Sequence, residues 1–310
     1  MVMVAAVLGG SVLPAAAQEP VGDVAAAAPR TEVFTGPGWH TFTVPEGVRE
    51  LTATVVGAGG SGGGGGGGGN AFEHAGYQSN GGGGGGGAGG GGGAAAQCTF
   101  PVQAGQTLKV LVGKAYPGGS GGDAWTDRGG WEGDYGDSSR VRDEKSGNTV
   151  IGWGGRGGWG AGGGKDAGRE HTIRDQSGKG GYGGQWHDSG GVADVKGPKC
   201  AVEANLRSGI SGERGWAGWD GHQDSREQAK GGLGGKGGAG GEGSVFGGPS
   251  GQLSRLDSCP ANARGKGGDG GEGGRAGDWS DKEQKWAWPQ PGKRGEAGQG
   301  GCVVLNYRQQ

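Results

Sequence analysis

The chain has 310 residues, of which 89 are glycine, and a formal net charge of −2. Hydrophobic residues make up 31% and charged residues 19% of it, which leaves too few apolar side chains for a large aliphatic core and no basic field to collect nucleic acid. The 11 tryptophans nevertheless set the chain apart from a disordered linker, which is normally poor in aromatic residues.

The first residues have the features of a secretory signal. Residues 1–17 form a short apolar stretch that ends in Ala15-Ala16-Ala17, an A-x-A cleavage site, although a basic n-region is missing. The stretch is too short to cross a bilayer as a helix, so we expect no membrane span. Residues 18–30 are interpreted as a linker. These features predict a secreted, extracellular protein.

Short runs of alternating apolar residues, separated by turn residues, indicate β-strands. Leu51, Ala53 and Val55 share one face of such a run, and Phe42 and Val44 share a face of the run before it. The predicted strand frame occupies residues 31–58, 95–113, 138–153 and 302–307. The glycine-rich insertions occupy residues 59–94, 117–137 and 154–300, and all of these parts belong to one domain, 31–310. Nothing within 154–300 predicts a helix or a long strand.

The longest glycine tract, residues 59–93, is open to two interpretations. Glycine-rich linkers behave as flexible coils, because glycine loses more backbone entropy on ordering than any other residue. The alternative is polyglycine II, a threefold extended helix of the polyproline II type whose neighbours exchange backbone hydrogen bonds. A bundle of such helices needs an anchor at both ends. A last strand that closes the sheet would supply that anchor, so we expect the ordered form.

Spacing supports the helical interpretation in two further segments. Residues 231–241 and 265–274 repeat Gly-Gly-X, and every third residue of a threefold helix lies on one edge. Lys236 and Ala239 would then share an edge, as would Lys266, Asp269 and Glu272, while the two glycines per turn face neighbouring helices. Collagen is excluded because 12 prolines are too few.

Three segments carry a resemblance to a known family. Residues 34–60 contain F-T-G-P-G, F-T-V-P-E-G-V and a strand that runs into G-A-G-G; residues 104–113 contain A-G-Q-T-L-K-V-L-V-G; and residues 298–307 end in G-Q-G-G-C-V-V-L-N-Y. This pattern resembles the bacterial glycine-rich domain family, with Ala104 where proline is usual. Residues 154–300 depart from it, because they are rich in Trp, Lys, Asp and Glu.

The resemblance implies an all-β fold, a small jelly-roll or sandwich frame with inserted polyglycine II helices, long glycine-rich loops and almost no α-helix. Similar modules occur in phage tail-fibre adhesins and in the ectodomains of anaplastic-lymphoma-type receptor kinases, where they bind partners. We therefore expect a partner on the cell surface, either a glycan or a protein.

The four cysteines, Cys98, Cys200, Cys259 and Cys302, are too far apart in sequence for a CxxC metal knuckle. In an exported chain they predict two disulfides, for which three pairings are open. We prefer Cys98–Cys302, which would join two predicted strands, and Cys200–Cys259, which would join two loops.

Several short motifs are compatible with chemistry, but none has the required context. Ser61 and Ser120 each lie in a G-x-S-x-G match, yet glycine follows where a nucleophile elbow needs a helix. One calcium-repeat match around Asp123 lacks a second copy to stack on. Arg128 and Arg156 begin RGG elements, but two copies and a negative net charge argue against RNA binding. We expect no catalytic residue, no metal and no cofactor.

The tryptophans have two interpretations. They could cap polyglycine helices and replace a missing core, or some could form an exposed stacking surface for a sugar or a partner. The best candidates for the second role are Trp216 with Trp219 and Trp286 with Trp288.

Together these features predict a secreted, non-enzymatic structural or adhesive protein. The alternative is an ice- or surface-binding protein with a flat polyglycine II face. That alternative requires small side chains at the X positions, where this chain often has Lys, Asp or Glu. A hydrolase would need a coherent catalytic triad or metal set, which the sequence lacks.

Overall fold

Two five-stranded antiparallel sheets dominate a computed structural model of the chain. The structure describes residues 28–74, 77–125, 128–167, 183–184, 190–196, 205–220, 258–280 and 285–310. Within these residues the strands are β1 (Arg30–Phe34), β2 (Gly38–Thr43), β3 (Glu50–Val56), β4 (Phe72–His74), β5 (Tyr77–Ser79), β6 (Ala95–Pro101), β7 (Thr107–Val112), β8 (Ser139–Asp143), β9 (Thr149–Gly152), β10 (Ala193–Lys196), β11 (Asn205–Arg207), β12 (Asp278–Ser280), β13 (Lys285–Ala287) and β14 (Cys302–Tyr307). One 3₁₀ turn, Ala261–Ala263, is described in full, and no α-helix occurs in this part of the chain.

The strand order makes a β-sandwich. The first sheet runs β1-β14-β3-β6-β11, and the second runs β10-β9-β8-β7-β2. The last strand, β14, lies between β1 and β3, so the two ends of the domain meet in one sheet. Two short hairpins, β4–β5 and β12–β13, stand apart from the sandwich. The expected all-β fold is confirmed.

Alternating side chains fill the space between the sheets. Leu51, Ala53 and Val55 of β3 are fully buried, as their period of two predicts. Phe42 and Val44 are also buried. The core contains these residues together with Val48, Ala96, Cys98, Phe100, Val102, Leu108, Val110, Val112, Val141, Val150, Val303, Leu305 and Tyr307. It is a small core that stabilises the frame only.

The glycine-rich insertions form a bundle of extended segments beside the sandwich. Amides at every third residue donate to the same neighbour, which is the pattern of polyglycine II rather than of a coil. We name the segments PG1 (57–70), PG2 (80–94), PG3 (118–125), PG4 (128–137), PG5 (153–167), PG6 (208–219), PG7 (265–277) and PG8 (289–299). The ordered interpretation is therefore confirmed for the two glycine stretches of this tract, 59–70 and 80–93.

PG1 is the axis of the bundle, because hydrogen bonds join it to neighbours on all sides. Every amide from Gly57 to Gly69 donates to a backbone carbonyl, in turn to PG2, PG4 and PG8. Its carbonyls accept from PG7, PG5 and PG3 in turn, again with a repeat of three residues. Such close contact requires glycine: a Cβ built at Gly63 would lie 2.2 Å from the carbonyl oxygen of Trp159.

PG2 is a second, overlapping centre. Each amide from Gly82 to Ala94 donates, in rotation, to PG5, PG6 and PG7. Its carbonyls also accept from Gly184 and Gly191, which lie on a segment between PG5 and PG6. Two interleaved rosettes of extended segments thus share PG1, PG2, PG5 and PG7.

The sheets anchor this bundle at one end. PG1 continues directly from β3, PG2 leads directly into β6, and Val56 and Ala95 are paired where the two strands end. PG5 follows β9, PG6 follows β11 and PG8 leads into β14. The register of the strands therefore sets the register of the glycine segments.

The Gly-Gly-X rule holds in PG7. The carbonyls of Lys266, Asp269 and Glu272 all accept from PG8, so these three residues share one edge. A Cβ at Gly267, Gly270 or Gly273 would lie about 2 Å from a carbonyl of PG2. The corresponding prediction for Lys236 and Ala239 lies outside the described residues.

The preferred disulfide pairing is wrong. Cys259 bonds Cys302, with the two Cα atoms 6.1 Å apart. The reason is the side of the sheet on which each cysteine lies. Cys302 is paired with Val56 and Cys98 with Ala53, and these two β3 residues, three apart, face opposite sides. Cys98 therefore points into the core, whereas Cys302 points away from it.

Both sides of the sheet are apolar where the cysteines lie. Val56, Ala95, Cys259, Ala263, Cys302 and Val304 form a second small cluster on the outer side. Cys98 is also disulfide-bonded. Cys200 lies outside the described residues. Residues 1–17, the predicted signal, lie outside them too. In the part of the chain that the structure describes, no helix has the length and apolarity needed to cross a bilayer.

Candidate binding surface

Tryptophan lies on the surface in the part of the protein whose side chains are described. The tryptophans whose side chains are described are all exposed: Trp39, Trp125, Trp131, Trp153, Trp159, Trp216, Trp219 and Trp288. The interpretation that tryptophan replaces a missing core is therefore wrong for these residues. Backbone packing already fills the interior of the bundle, and it leaves no room for a ring.

Trp216 and Trp219 lie on one edge of PG6. Their carbonyls accept from Gly86 and Gly83 of PG2, and the side chains are 71% and 65% exposed. Residues three apart on a threefold helix are separated by about 9 Å along the axis. The two rings are thus held at a fixed spacing on the outside of the bundle, as the second interpretation of the tryptophans requires.

A matching row lies on PG5. Trp153, Arg156 and Trp159 are spaced by three residues, and their carbonyls accept from PG2 at Ala94, Gly91 and Ala88. All three side chains are exposed. The sequence contains this signal, because residues 153–159 read W-G-G-R-G-G-W, although Arg156 also fits an RGG element, which hides the spacing.

The two rows lie at similar heights along the bundle, on two segments that both contact PG2. Trp159 accepts from Ala88 and Trp216 from Gly86, so the two residues are within about 6 Å of each other along the axis. Glycines 183, 184, 190 and 191 pass between PG5 and PG6 and fix the lateral distance. We call Trp153, Trp159, Trp216 and Trp219 the tryptophan face.

A separate aromatic pair lies at the end of the bundle farthest from the sandwich. The rings of Trp125 and Trp288 are 4.8 Å apart at an interplanar angle of 31°. Trp125 donates to Gly68, near the far end of PG1, and has a left-handed backbone with φ of 80°. Such a conformation is unusual for a bulky residue. Sequence spacing gave no indication of this pair.

The expected pairing of Trp286 with Trp288 is only partly described. Trp286 lies in β13, where its backbone is in register with Trp279 of β12, and its side chain lies outside the described residues. Trp288 belongs to the pair with Trp125 and is 63% exposed. PG3 and PG8 flank PG1, whereas PG6 contacts PG2, so Trp288 and Trp216 lie on different sides of the bundle.

The two serines of the G-x-S-x-G matches make hydrogen bonds that join neighbouring segments. Ser61 is fully buried in PG1, and its Oγ accepts from the amide of Asp134 at 2.6 Å and donates to the carbonyl of Asp134 at 3.1 Å. Ser120 is exposed, and its Oγ accepts from Arg294 at 3.3 Å. Neither contact is with a general base. Ser61 holds PG4 against PG1 instead.

Charged side chains occupy the other outer edges. Lys293 of PG8 lies 2.6 Å from Glu272 of PG7, and Arg128 lies 3.9 Å from Asp123. These pairs are exposed, so each contributes little to stability. Among the described residues, no group of three or more His, Cys, Asp or Glu side chains has the arrangement of a metal site.

Two comparisons with known proteins give no relative whose function could be transferred to this surface. A scan against protein-family models finds no match, and a search of curated proteins finds no significant relative.

Proposed function

We propose that the chain is a secreted, non-enzymatic adhesive protein that binds an extracellular partner, most simply a glycan, through its tryptophan face. The observation that carries the proposal is the pair Trp216 and Trp219: two large rings, both mostly exposed, at a fixed spacing on a backbone that is hydrogen-bonded to PG2. Exposed aromatic rings on a rigid support supply contact area at a low entropic cost.

Two further observations support the extracellular part of the proposal. The disulfide between Cys259 and Cys302, together with the bonded Cys98, fits an oxidising compartment. The sequence also resembles the bacterial glycine-rich domain, whose relatives include adhesins. In this proposal the bundle is a rigid rod, and the residues at its X positions are its contact surface.

The alternative, an ice- or surface-binding protein, is less well supported by the same surface. A flat face of polyglycine II helices requires small side chains on neighbouring outer edges. The edge of PG6 instead presents Ile210, Glu213, Trp216 and Trp219, and the edge of PG7 presents Lys266, Asp269, Glu272 and Arg275. Bulky and charged side chains on both edges make these surfaces uneven.

The proposal is tested by glycan-array binding of the mature protein and of the Trp216→Ala/Trp219→Ala double variant. We expect the wild-type protein to bind a defined set of glycans and the double variant to lose that binding. Trp131→Ala is the matched control, because Trp131 is 73% exposed but lies on PG4, away from PG6. Equal binding by the double variant, or equal loss in the control, would overturn the proposal.

A further inference from the structure

The row Trp153-Arg156-Trp159 combines two aromatic rings with one positive charge. Arg156 lies between Trp153 and Trp159 on the same edge of PG5. It is about 9 Å from each of them along the axis of the segment. No acidic side chain among the described residues forms an ion pair with Arg156. Within the described part of the chain, the row therefore presents a cation without an acidic counterion.

The backbone holds this row rigid. A Cβ at Gly154 or Gly157 would lie within 2 Å of a carbonyl oxygen of PG4, and one at Gly155 would lie 1.9 Å from a carbonyl oxygen of PG2. The glycines between the three side chains are therefore packed against PG4 and PG2 too closely to accept a side chain. A ligand that matches the spacing of the row would bind without a large ordering cost.

The shape of the row favours a narrow, extended ligand. Because glycines lie between its large side chains, the row is one side chain wide and cannot supply the roughly 800 Å² per partner that a standard protein–protein interface buries. Its side chains repeat about every 9 Å along the axis, so a ligand that contacts all three must extend over about 18 Å. Rings stack on sugar faces, and guanidinium groups form paired hydrogen bonds with carboxylates.

We propose that the Trp153-Arg156-Trp159 row binds an extended acidic polysaccharide, with sugar rings on the two tryptophans and a carboxylate on Arg156. This inference rests on the proposed function, since it assigns a ligand class to the tryptophan face. The charge complementarity is local, because the whole chain has a net charge of −2 and does not attract polyanions in general.

The test compares two probes of equal length, hexagalacturonate and cellohexaose, by isothermal titration calorimetry on the mature protein. We expect wild type to prefer hexagalacturonate, and Arg156→Gln to weaken its binding by about tenfold or more, since a hydrogen bond to a charged group is lost. Binding of cellohexaose should stay unchanged in this variant. Arg294→Gln, on PG8, is the matched control and should retain the binding of hexagalacturonate.

A second measurement separates charge from packing. Binding of hexagalacturonate should weaken as salt rises, and this dependence should be smaller in Arg156→Gln than in Trp159→Ala, which retains the charge. Equal affinity of wild type for the two probes, or no change in Arg156→Gln, would overturn the inference. If wild type binds array glycans through Trp216 and Trp219 but not hexagalacturonate, only this inference fails. If it binds no glycan, the proposed function fails too.

Discussion

The sandwich and the bundle reach order by opposite means. The sandwich buries side chains such as Phe100 and Leu108 between two sheets, and its backbone hydrogen bonds lie within each sheet. The bundle has almost no side chains inside, and its backbone hydrogen bonds run outward from PG1 in every direction. In one region side-chain volume determines packing, and in the other the absence of side chains does.

The difference explains why the bundle needs the sandwich. A backbone hydrogen bond contributes about 1 kcal/mol net, whereas ordering one residue costs about 1–2 kcal/mol. The hydrogen bonds alone therefore at best offset the conformational entropy that a glycine helix loses on ordering. PG1, PG2, PG5, PG6 and PG8 each continue from or into a sheet strand, so part of their ordering is complete once the sandwich has formed.

The largest expected effect comes from removing the disulfide that ties the start of PG7 to the sandwich. Cys259 precedes PG7 and Cys302 begins β14, and the two are separated by 43 positions in sequence. Opening a loop of that length increases the entropy of the unfolded chain, so we expect Cys259→Ser/Cys302→Ser to lower the free energy of unfolding by about 4 kcal/mol. Urea denaturation measures this change. A loss below about 1 kcal/mol would contradict the role of this bond as a link.

Removing side-chain volume should damage the sandwich. Leu108 is fully buried in the core, and Leu108→Ala leaves a cavity there. We expect a loss of about 3 kcal/mol in the free energy of unfolding. Val33→Ala, at a position that is 39% exposed on the edge strand β1, is the control and should change stability far less. Similar losses in the two variants would show that the core is not where the sandwich gains its stability.

Adding side-chain volume should damage the bundle. The Cβ of Gly63→Ala would lie 2.2 Å from the carbonyl oxygen of Trp159, so PG1 and PG5 must separate. We expect a loss of about 2–3 kcal/mol. In Gly36→Ala the new Cβ would meet only the His40 ring, at 3.6 Å, and stability should hardly change. Thermal unfolding of both variants checks the contrast, and a neutral Gly63→Ala would refute close packing around PG1.

The smallest expected effect is confined to the sandwich and depends on pH. Burial acts to raise the pKa of Asp143, but hydrogen bonds from Ser146, Gln106 and the backbone of Lys145 and Ser146 outweigh it and lower the pKa. A carboxyl with a lowered folded-state pKa stabilises the fold above its ordinary pKa, and this contribution is lost as the pH falls through the lowered value.

We therefore expect wild-type stability to fall between roughly pH 5 and pH 2, and Asp143→Asn to show a weaker decline over that range. At neutral pH the variant should lose about 1–2 kcal/mol, because a charged acceptor is replaced by a neutral one. Denaturation midpoints measured across the range check this. Parallel pH profiles for the two proteins would rule out a contribution from Asp143.

Much of the frame could be predicted because its strands are locally encoded. Residues 51–56 alternate, residues 302–307 are apolar except for Asn306, and both lie in strands of the first sheet. By contrast, β10 and β11 have four and three residues with mixed side chains, so no period is long enough to detect. They complete the sheets only because the neighbouring strands supply partners.

The candidate surface was predictable only where spacing determines it. The Gly-Gly-X repeat fixes the outward edge of PG7, and the same repeat in residues 153–159 places Trp153, Arg156 and Trp159 on one edge of PG5. The contact between Trp125 and Trp288 depends on how PG3 and PG8 meet, which no local pattern encodes. The disulfide pairing failed for a related reason, because it depends on which side of β14 and β6 each cysteine faces.

Hydrogen exchange of the glycine amides tests the central claim most directly. Every amide of residues 57–69 and 82–94 donates to a backbone carbonyl, so deuterium uptake in peptides that cover these residues should be as slow as in peptides that cover β3 and β6. Residues 114–116, in the loop after β7, supply the fast reference, because their amides donate to no backbone carbonyl. Uptake at the rate of that loop would show that the glycine segments are spacers, and the rigid support for the tryptophan face would be lost.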